Sequence, residues 1–298
     1  MLSPSVVEAA QEGGAAVVMT LHNYRMMCLP GTLLRDGRIC EDCVGKMPWR
    51  GVMHRCYRGS ALGSGTLAAS LGIHRVIKTF DPISLYLAIS RFVRDKHVEA
   101  GFPVDSIRVK RHFAWPSTRR VGAGRYFLYI GRVAPEKGVE TIVRAWQPHL
   151  GELRVVGNGP EVNRLKAIAP ANVRFLETVP PEAVPDIVAG ARAVLAPSLC
   201  YEGAGKVVLE AYACGVPALA SRIGGLPEVV EEGTSGFLLP PRDGEAWVRA
   251  AERLLDDREA ERLGRGAFEE WREHHGPDRA LVELESSYQE AIDIMRSR

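Results

Sequence analysis

From residue 125 to about residue 240 the chain repeats one pattern: a short apolar run, a glycine-containing turn, then a segment with the apolar spacing of a helix. RYFLYI (125–130), ELRVVG (152–157), VRFLETV (173–179), the runs at 193–196 and 217–221, and GFLLP (236–240) are its apolar members. Strands that alternate with helices pair in parallel, because each helix carries the chain back across the sheet before the next strand begins. The pattern therefore predicts an α/β domain on a doubly wound parallel sheet. Such sheets hold their ligands outside the C-terminal ends of the strands, so the turns after the apolar runs are where chemistry belongs.

With 298 residues the chain has room for one large α/β domain or two smaller ones, either with a full core. A net charge of +2 gives no global argument for nucleic acid, although it leaves room for a local basic patch. Residues 1–14 lack a basic segment followed by an apolar one, and no apolar run reaches the length of a membrane span. The default expectation is a soluble, cytoplasmic protein. Six cysteines, four of them clustered in a chain of this length, do not read as the disulfide framework of a small secreted domain.

The most informative stretch is 196–221, APSLCYEGAGKVVLEAYACGVPALAS, which holds Glu202 and Glu210 with seven residues between them. Apolar runs on either side read as strands, so residues 206–213 form the intervening helix and Gly203, Ala204 and Gly205 stand at its N-terminus. Unpaired N–H groups and the positive end of the helix dipole favour an anion such as a phosphate there, and small residues let it come close. Glu210, in the second turn, can aim its carboxylate back toward that anion, while Glu202 sits in the loop in front. Carboxylates on both sides of a phosphate cradle suit a nucleotide sugar, whose hydroxyls flank a diphosphate.

Glu-Gly-x-Gly-x-Val-Val-Leu-Glu-Ala followed by Cys-Gly-Val-Pro resembles the E-x7-E signature of the retaining glycosyltransferases of family 4. The resemblance implies a GT-B fold, two Rossmann-like domains facing a cleft, and it makes Glu202 the sugar contact and Glu210 the ribose contact. Gly131-Arg-Val-Ala-Pro-Glu-Lys-Gly138 looks like the family's G-R-x-x-x-E-K-G turn. Arg132 and Lys137 flank it, at a strand's C-terminal edge, as two cations able to grip a diphosphate. Gly131, Gly157, Gly159, Thr178, Gly203, Ala204 and Gly205 complete the nucleotide side, with backbone contacts to the base expected at the end of the 173–179 strand. Lys206 departs from the pattern, where a neutral residue is more usual.

Residues 1–113 resemble the family's acceptor-side domain more loosely. A capping box at Ser5 opens a short helix, and residues 15–21 (AAVVMTL) read as a buried strand that delivers Thr20-Leu-His22; by resemblance His22 faces the donor sugar. No earlier βα units precede this strand, which suggests an incomplete N-terminal domain with an unpaired strand edge that recruits another chain, a copy of itself or a partner. A strand at LYLAIS leads to Ser90-Arg-Phe92, a helix over 91–100 follows, and 106–112 alternates like an edge strand. Residues 114–124, with Pro, Ser and Gly, read as the linker, 125–275 as the nucleotide-sugar domain, and 276–298 as a closing helix that crosses back.

Between the first two strands, Cys28, Cys40, Cys43 and Cys56 lie in a glycine-rich loop (28–56) spaced C-x11-C-x2-C-x12-C. Four thiolates could close a structural zinc site, or the cysteines stay reduced and partly buried. From Cys43 to Phe80 there are six lysines and arginines and no acidic residue. That patch suits a phosphate-bearing acceptor, an anionic membrane at the inner face, or nucleic acid, or is a solvated face. The resemblance thus implies sugar transfer from a nucleoside diphosphate sugar, UDP favoured, to a glycan, lipid-linked or small-molecule acceptor, with no cofactor required for the chemistry. Alternatives are a nucleotide-sugar-binding subunit with little activity of its own and a nucleic-acid-binding protein built on the basic cysteine segment, although no nucleic-acid partner is expected.

Overall fold

The computed structural model describes residues 5–297, in two compact units: one runs to Arg111 and resumes at Ala280, and the other is His112–Arg279. The first opens with α1 (Ser5–Glu12) and β1 (Val17–Leu21), followed by a hairpin of β2 (Leu34–Arg35) and β3 (Arg38–Ile39). Helices α2 (Trp49–Met53) and α3 (Ala61–Val76) precede β4 (Ile83–Ala88), α4 (Arg91–Glu99) and β5 (Ile107–Val109). The three longer strands form a parallel sheet in the order β1-β4-β5. All of β4 is buried, as expected of a strand covered on both faces of a parallel sheet. Ser90 serves as the N-cap of α4, its hydroxyl accepting the Val93 N–H at 3.2 Å.

Two features of this unit differ from the sequence expectation. The 28–56 segment, expected to be loop, contains the β2–β3 hairpin and one helical turn, α2. The 16-residue α3 had no sequence signal, because Gly63, Gly65 and Gly72 depress helix propensity along it. Its start is fixed instead by Ser60, whose hydroxyl accepts the Gly63 N–H at 3.1 Å.

The second unit carries β6 (Tyr126–Ile130), β7 (Leu153–Val156), β8 (Val173–Leu176), β9 (Ala191–Ala196), β10 (Ala218–Ser221) and β11 (Gly236–Leu239). They make one parallel sheet, ordered β11-β10-β9-β6-β7-β8, so the chain winds outward in both directions from β6 and β9. Between the strands run α5 (Val139–Ala145), α6 (Val162–Ile168), α7 (Val184–Ala189) and α8 (Lys206–Ala213). After them come α9 (Gly244–Arg253), α10 (Asp257–Glu270), a π-helical turn (Trp271–His275) and α11 (Pro277–Ser297).

Alternate residues of each strand feed opposite cores. Phe127, Tyr129, Leu153, Val155 and Leu195 pack with Ile142 of α5 and Trp247 of α9, while Leu128, Val156 and Val194 pack with Val188 of α7 and Ala211 of α8. This two-sided burial explains why the strands read as unbroken apolar runs rather than alternating ones. Helix α11 belongs to the first unit from Ala280 onward, where Ala291 packs against Leu85 and Leu87 and Glu290 pairs with Arg108 at 2.6 Å.

Residues 114–124 contain no helix or strand and are tied to the second unit. Ala114 donates to the His275 carbonyl at 3.1 Å and accepts from the Trp271 indole at 3.0 Å. The Arg120 guanidinium donates to the carbonyls of Ala123, Arg192 and Ala260 at 3.3, 3.0 and 2.8 Å, and burial pulls its pKa below the usual arginine value. Arg120→Leu strands those three carbonyls and is expected to cost roughly 3 kcal/mol of unfolding free energy in urea titrations. A variant as stable as the parent would show that these bonds contribute nothing net.

Candidate functional site

Two turns at the C-terminal edge of the six-stranded sheet build the site. After β6 the chain makes a 3-10 turn at Pro135–Lys137 and passes through Gly138 at φ 67°. A Cβ there would lie 2.0 Å from the Pro197 carbonyl oxygen in the turn after β9, so only glycine lets the two turns close. The Leu199 N–H donates to the Glu136 carbonyl at 2.8 Å, and the Tyr129 hydroxyl donates to the Arg132 carbonyl at 2.6 Å. Burial, reinforced by the nearby carboxylates of Glu202 and Glu136, pushes the Tyr129 pKa well up, so the hydroxyl keeps the proton it donates.

Closure brings Lys137 and Glu202, 65 positions apart in sequence, to an Nζ–Oε1 distance of 2.7 Å. The Ser198 hydroxyl donates to the same carboxylate oxygen, and the Gly225 N–H donates to the Glu202 main-chain carbonyl at 2.8 Å. Burial, the largest single influence, lowers the Lys137 pKa, but the charge and hydrogen bond of Glu202, with Cys200 and Glu136 nearby, together outweigh it and raise the pKa above the ordinary lysine value. The ammonium is therefore charged at every physiological pH. Buried Cys200, beside the same carboxylate, is pushed up to about 12, first by burial and then by Glu202, and stays an inert thiol.

Helix α8 starts from Gly205, at φ 58° and ψ 56°, with no side chain capping its first turn. Val208 and Leu209 donate to the Gly205 carbonyl, no N-cap side chain serves the N–H groups before them, and the positive end of the helix follows the turn that carries Glu202. One helical turn on, Glu210 pairs with Lys206 at 3.4 Å, and both side chains are accessible. Arg132, 65% exposed, pairs with Glu136 at 3.1 Å.

A cavity of about 720 Å³, lined entirely by residues of the second unit, joins these groups. Gly131, Arg132, Lys137, Glu202, Gly205 and Glu210, all singled out in the sequence, line it. Gly203 and Ala204 directly precede the lining Gly205, and Thr178 precedes the lining Val179. Gly157 and Gly159 are not among the lining residues; they pack beneath the turn, where a Cβ on either would press on the carbonyl oxygen of Gly131 or Val133. His22 stands exposed just past β1, in the other unit, and is not among the lining residues.

Several lining groups carried no sequence signal. Ser198 braces Glu202, Val184 and Val188 of α7 form an apolar wall, and Trp115, 71% exposed, meets Phe113 edge to face with centroids 5.6 Å apart. Only their neighbours in space give these residues a role. The cavity therefore combines cations and an uncapped helix start for an anion, two carboxylates for hydroxyl donors, and apolar and aromatic walls for a flat ring.

In the first unit, Cys28, Cys40, Cys43 and Cys56 line one small cavity of about 20 Å³. Burial raises the pKa of Cys28, Cys43 and Cys56, which favours thiol over thiolate. Among the described residues no group of three or more His, Cys, Asp or Glu is arranged to hold a metal ion. The four cysteines expected as zinc ligands thus converge in space, and none of them is in a disulfide.

Comparison with known proteins places this geometry in context. The sequence profile described as "Glycosyl transferases group 1" matches residues 124–257. The D-inositol 3-phosphate glycosyltransferase of Corynebacterium efficiens is 34% identical over 195 residues, covering 59% of this chain and 46% of that protein. The chain thus spans about half the length of the curated relatives it matches. Among solved structures, Anabaena HepE in complex with UDP and glucose superposes with a TM-score of 0.71 at 17% identity, over 96% of this chain and 76% of that one. Sucrose-phosphate synthase from Thermosynechococcus elongatus gives 0.61 at 24% identity, over 70% and 58%. These likenesses establish the fold: Rossmann-like α/β with parallel sheets, among GT-B neighbours.

The closure of the two turns is directly testable. Gly138→Ala adds a Cβ in the left-handed region and against the Pro197 carbonyl, and it is expected to destabilise the fold by roughly 3 kcal/mol. Thermal unfolding should show a clearly lower Tm; an unchanged Tm would mean that the turns do not depend on this contact.

Proposed function

We propose that the chain binds a nucleoside diphosphate sugar in the 720 Å³ cavity of its second unit and transfers the sugar to an acceptor hydroxyl, as a retaining glycosyltransferase of family 4. The observation that carries this reading is the convergence of Lys137, Glu202, Arg132, Glu210 and the uncapped start of α8 on one cavity. The glycosyl transferases group 1 match over residues 124–257, which contains all of these residues, supports it. UDP bound in a structural neighbour favours UDP as the nucleotide.

In this reading the diphosphate lies between the α8 N-terminus and the Arg132–Lys137 turn. Glu210 accepts the ribose hydroxyls, and Glu202, poised by Ser198 and Gly225, accepts sugar hydroxyls. The bond from the anomeric carbon to the diphosphate oxygen breaks as the acceptor oxygen bonds that carbon on the same face. The acceptor's hydroxyl proton leaves with the diphosphate. Negative charge grows on the leaving oxygens, and groups already fixed in place to receive it lower the barrier most. Lys137 and Arg132 meet that need, so no step requires a metal.

Arg132→Ala and Lys137→Ala are each expected to slow transfer by about a hundredfold, the scale of losing one donor to a developing anion. Radiolabelled sugar transfer under saturating donor measures this, and near-normal turnover in either variant would place the phosphate elsewhere. Glu202→Gln is expected to depress transfer while sparing affinity for free UDP, whereas Glu210→Gln weakens both, since a ribose contact is common to donor and product. Calorimetry with UDP and the transfer assay separate the two, and equal losses of UDP affinity would overturn the assignment.

A further inference from the structure

Helix α3 carries a second apolar stripe, on its solvent side. Leu62, Thr66, Ala69, Ile73 and Val76 follow each other at four- and three-residue steps and all lie exposed, with Leu62 82% and Val76 81% accessible. On its inner face it buries Ser64 and Ala68 and half-buries Leu67 and Leu71. A helix packed on a protein normally turns its larger apolar side chains inward, so this stripe is stabilised only if something apolar covers it. Even Thr66 fits the pattern, because its hydroxyl is spent on the Leu62 carbonyl at 2.9 Å.

Helix α2 packs against α3 and adds Trp49, 67% exposed, and Met53, 77% exposed, one helical turn apart. Cations flank these side chains. Lys46, Arg55, Arg58 and Arg75 are exposed, and none has a carboxylate within ion-pair distance among the described residues; Arg50 and Lys78 are paired with Asp42 and Asp81 at 3.4 and 3.9 Å. The segment from Cys43 to Phe80 contains no acidic residue at all. No helix of the described residues is long and apolar enough to cross a membrane.

From the exposed apolar stripe on α3, the Trp49–Met53 pair on α2 and the cations around them that have no carboxylate partner, we infer that the α2–α3 surface docks onto an anionic lipid bilayer. The apolar side chains enter the boundary between headgroups and acyl chains, the tryptophan lies at the interface, and the arginines and Lys46 meet the lipid phosphates. A second copy of this chain would bring the same cations face to face, and a neutral protein groove would leave them without counter-charge. The charge therefore selects the membrane. This inference stands apart from the sugar-transfer reading, since vesicle binding and UDP binding are measured separately and on different units.

The test uses the whole chain and flotation with vesicles of phosphatidylcholine, alone or with about a quarter phosphatidylglycerol. Binding is expected only with the anionic lipid, and it should fall steeply as salt rises. Arg55→Gln with Arg58→Gln should lower partitioning at least about tenfold. Ile73→Ser with Val76→Ser should weaken it comparably, with UDP binding intact in both double variants. Brominated lipid should quench the tryptophan fluorescence of the parent more than that of Trp49→Phe. Failure to bind anionic vesicles, equal binding to neutral ones, or salt-sensitive retention of RNA without vesicle binding would each overturn the proposal. So would a dimer, seen by light scattering, that Ile73→Ser with Val76→Ser dissociates.

Discussion

The second unit is organised around a backbone approach that admits no side chain: Gly138 lies so near the Pro197 carbonyl that a Cβ would overlap it. The approach locks the turn after β6 onto the turn after β9, and these are the two neighbouring strands from which the sheet winds outward. Arg132, Lys137, Glu202 and Glu210 all hang from one of these turns or from α8, which follows the second. Regular strands and short helices hold the turns rigidly, and a site carried by such elements is positioned more accurately than one on a free loop.

Closing the turns pairs Lys137 with Glu202 in a half-buried setting, with the side chains 34% and 19% exposed. Such a pair contributes little net stability, because the desolvation of two charges offsets most of their attraction. Its value is organisational. Each group holds the other in place, and an arriving anion can take the ammonium while a sugar hydroxyl takes the carboxylate. In the proposed reading the Glu210–Lys206 pair, one turn along α8, offers the same exchange at the ribose end. Ion pairs that are satisfied without ligand spare the site the cost of isolated charges inside a cleft.

Local signals carried much of the architecture. Strand–turn–helix alternation gave the parallel sheet, and α8 spans the residues, Lys206–Ala213, that the flanking apolar runs define. What could not be read depends on distance in sequence or on a blurred period. Nothing in the chain announces that Lys137 will meet Glu202, or that Ser198 will brace it. The composition of 114–124 marks an irregular segment, but composition does not say that Arg120 will reach three carbonyls. Helix α3 escaped notice because its glycines weaken the helical signal and apolar residues on both of its faces blur the period. The cysteine spacing brought four thiols to one cavity, yet spacing alone does not fix the ligating geometry that a metal needs.

In the proposed reading the cavity of the second unit is built around a diphosphate. Calorimetric titration of the unmodified chain with UDP and, separately, with uridine tests it most directly, because the two ligands share base and ribose and differ only in the anion. One UDP is expected to bind per chain, with uridine weaker by at least about a hundredfold, the loss of two or more charge-assisted hydrogen bonds. Uridine binding as tightly as UDP, or no heat from either, would contradict it.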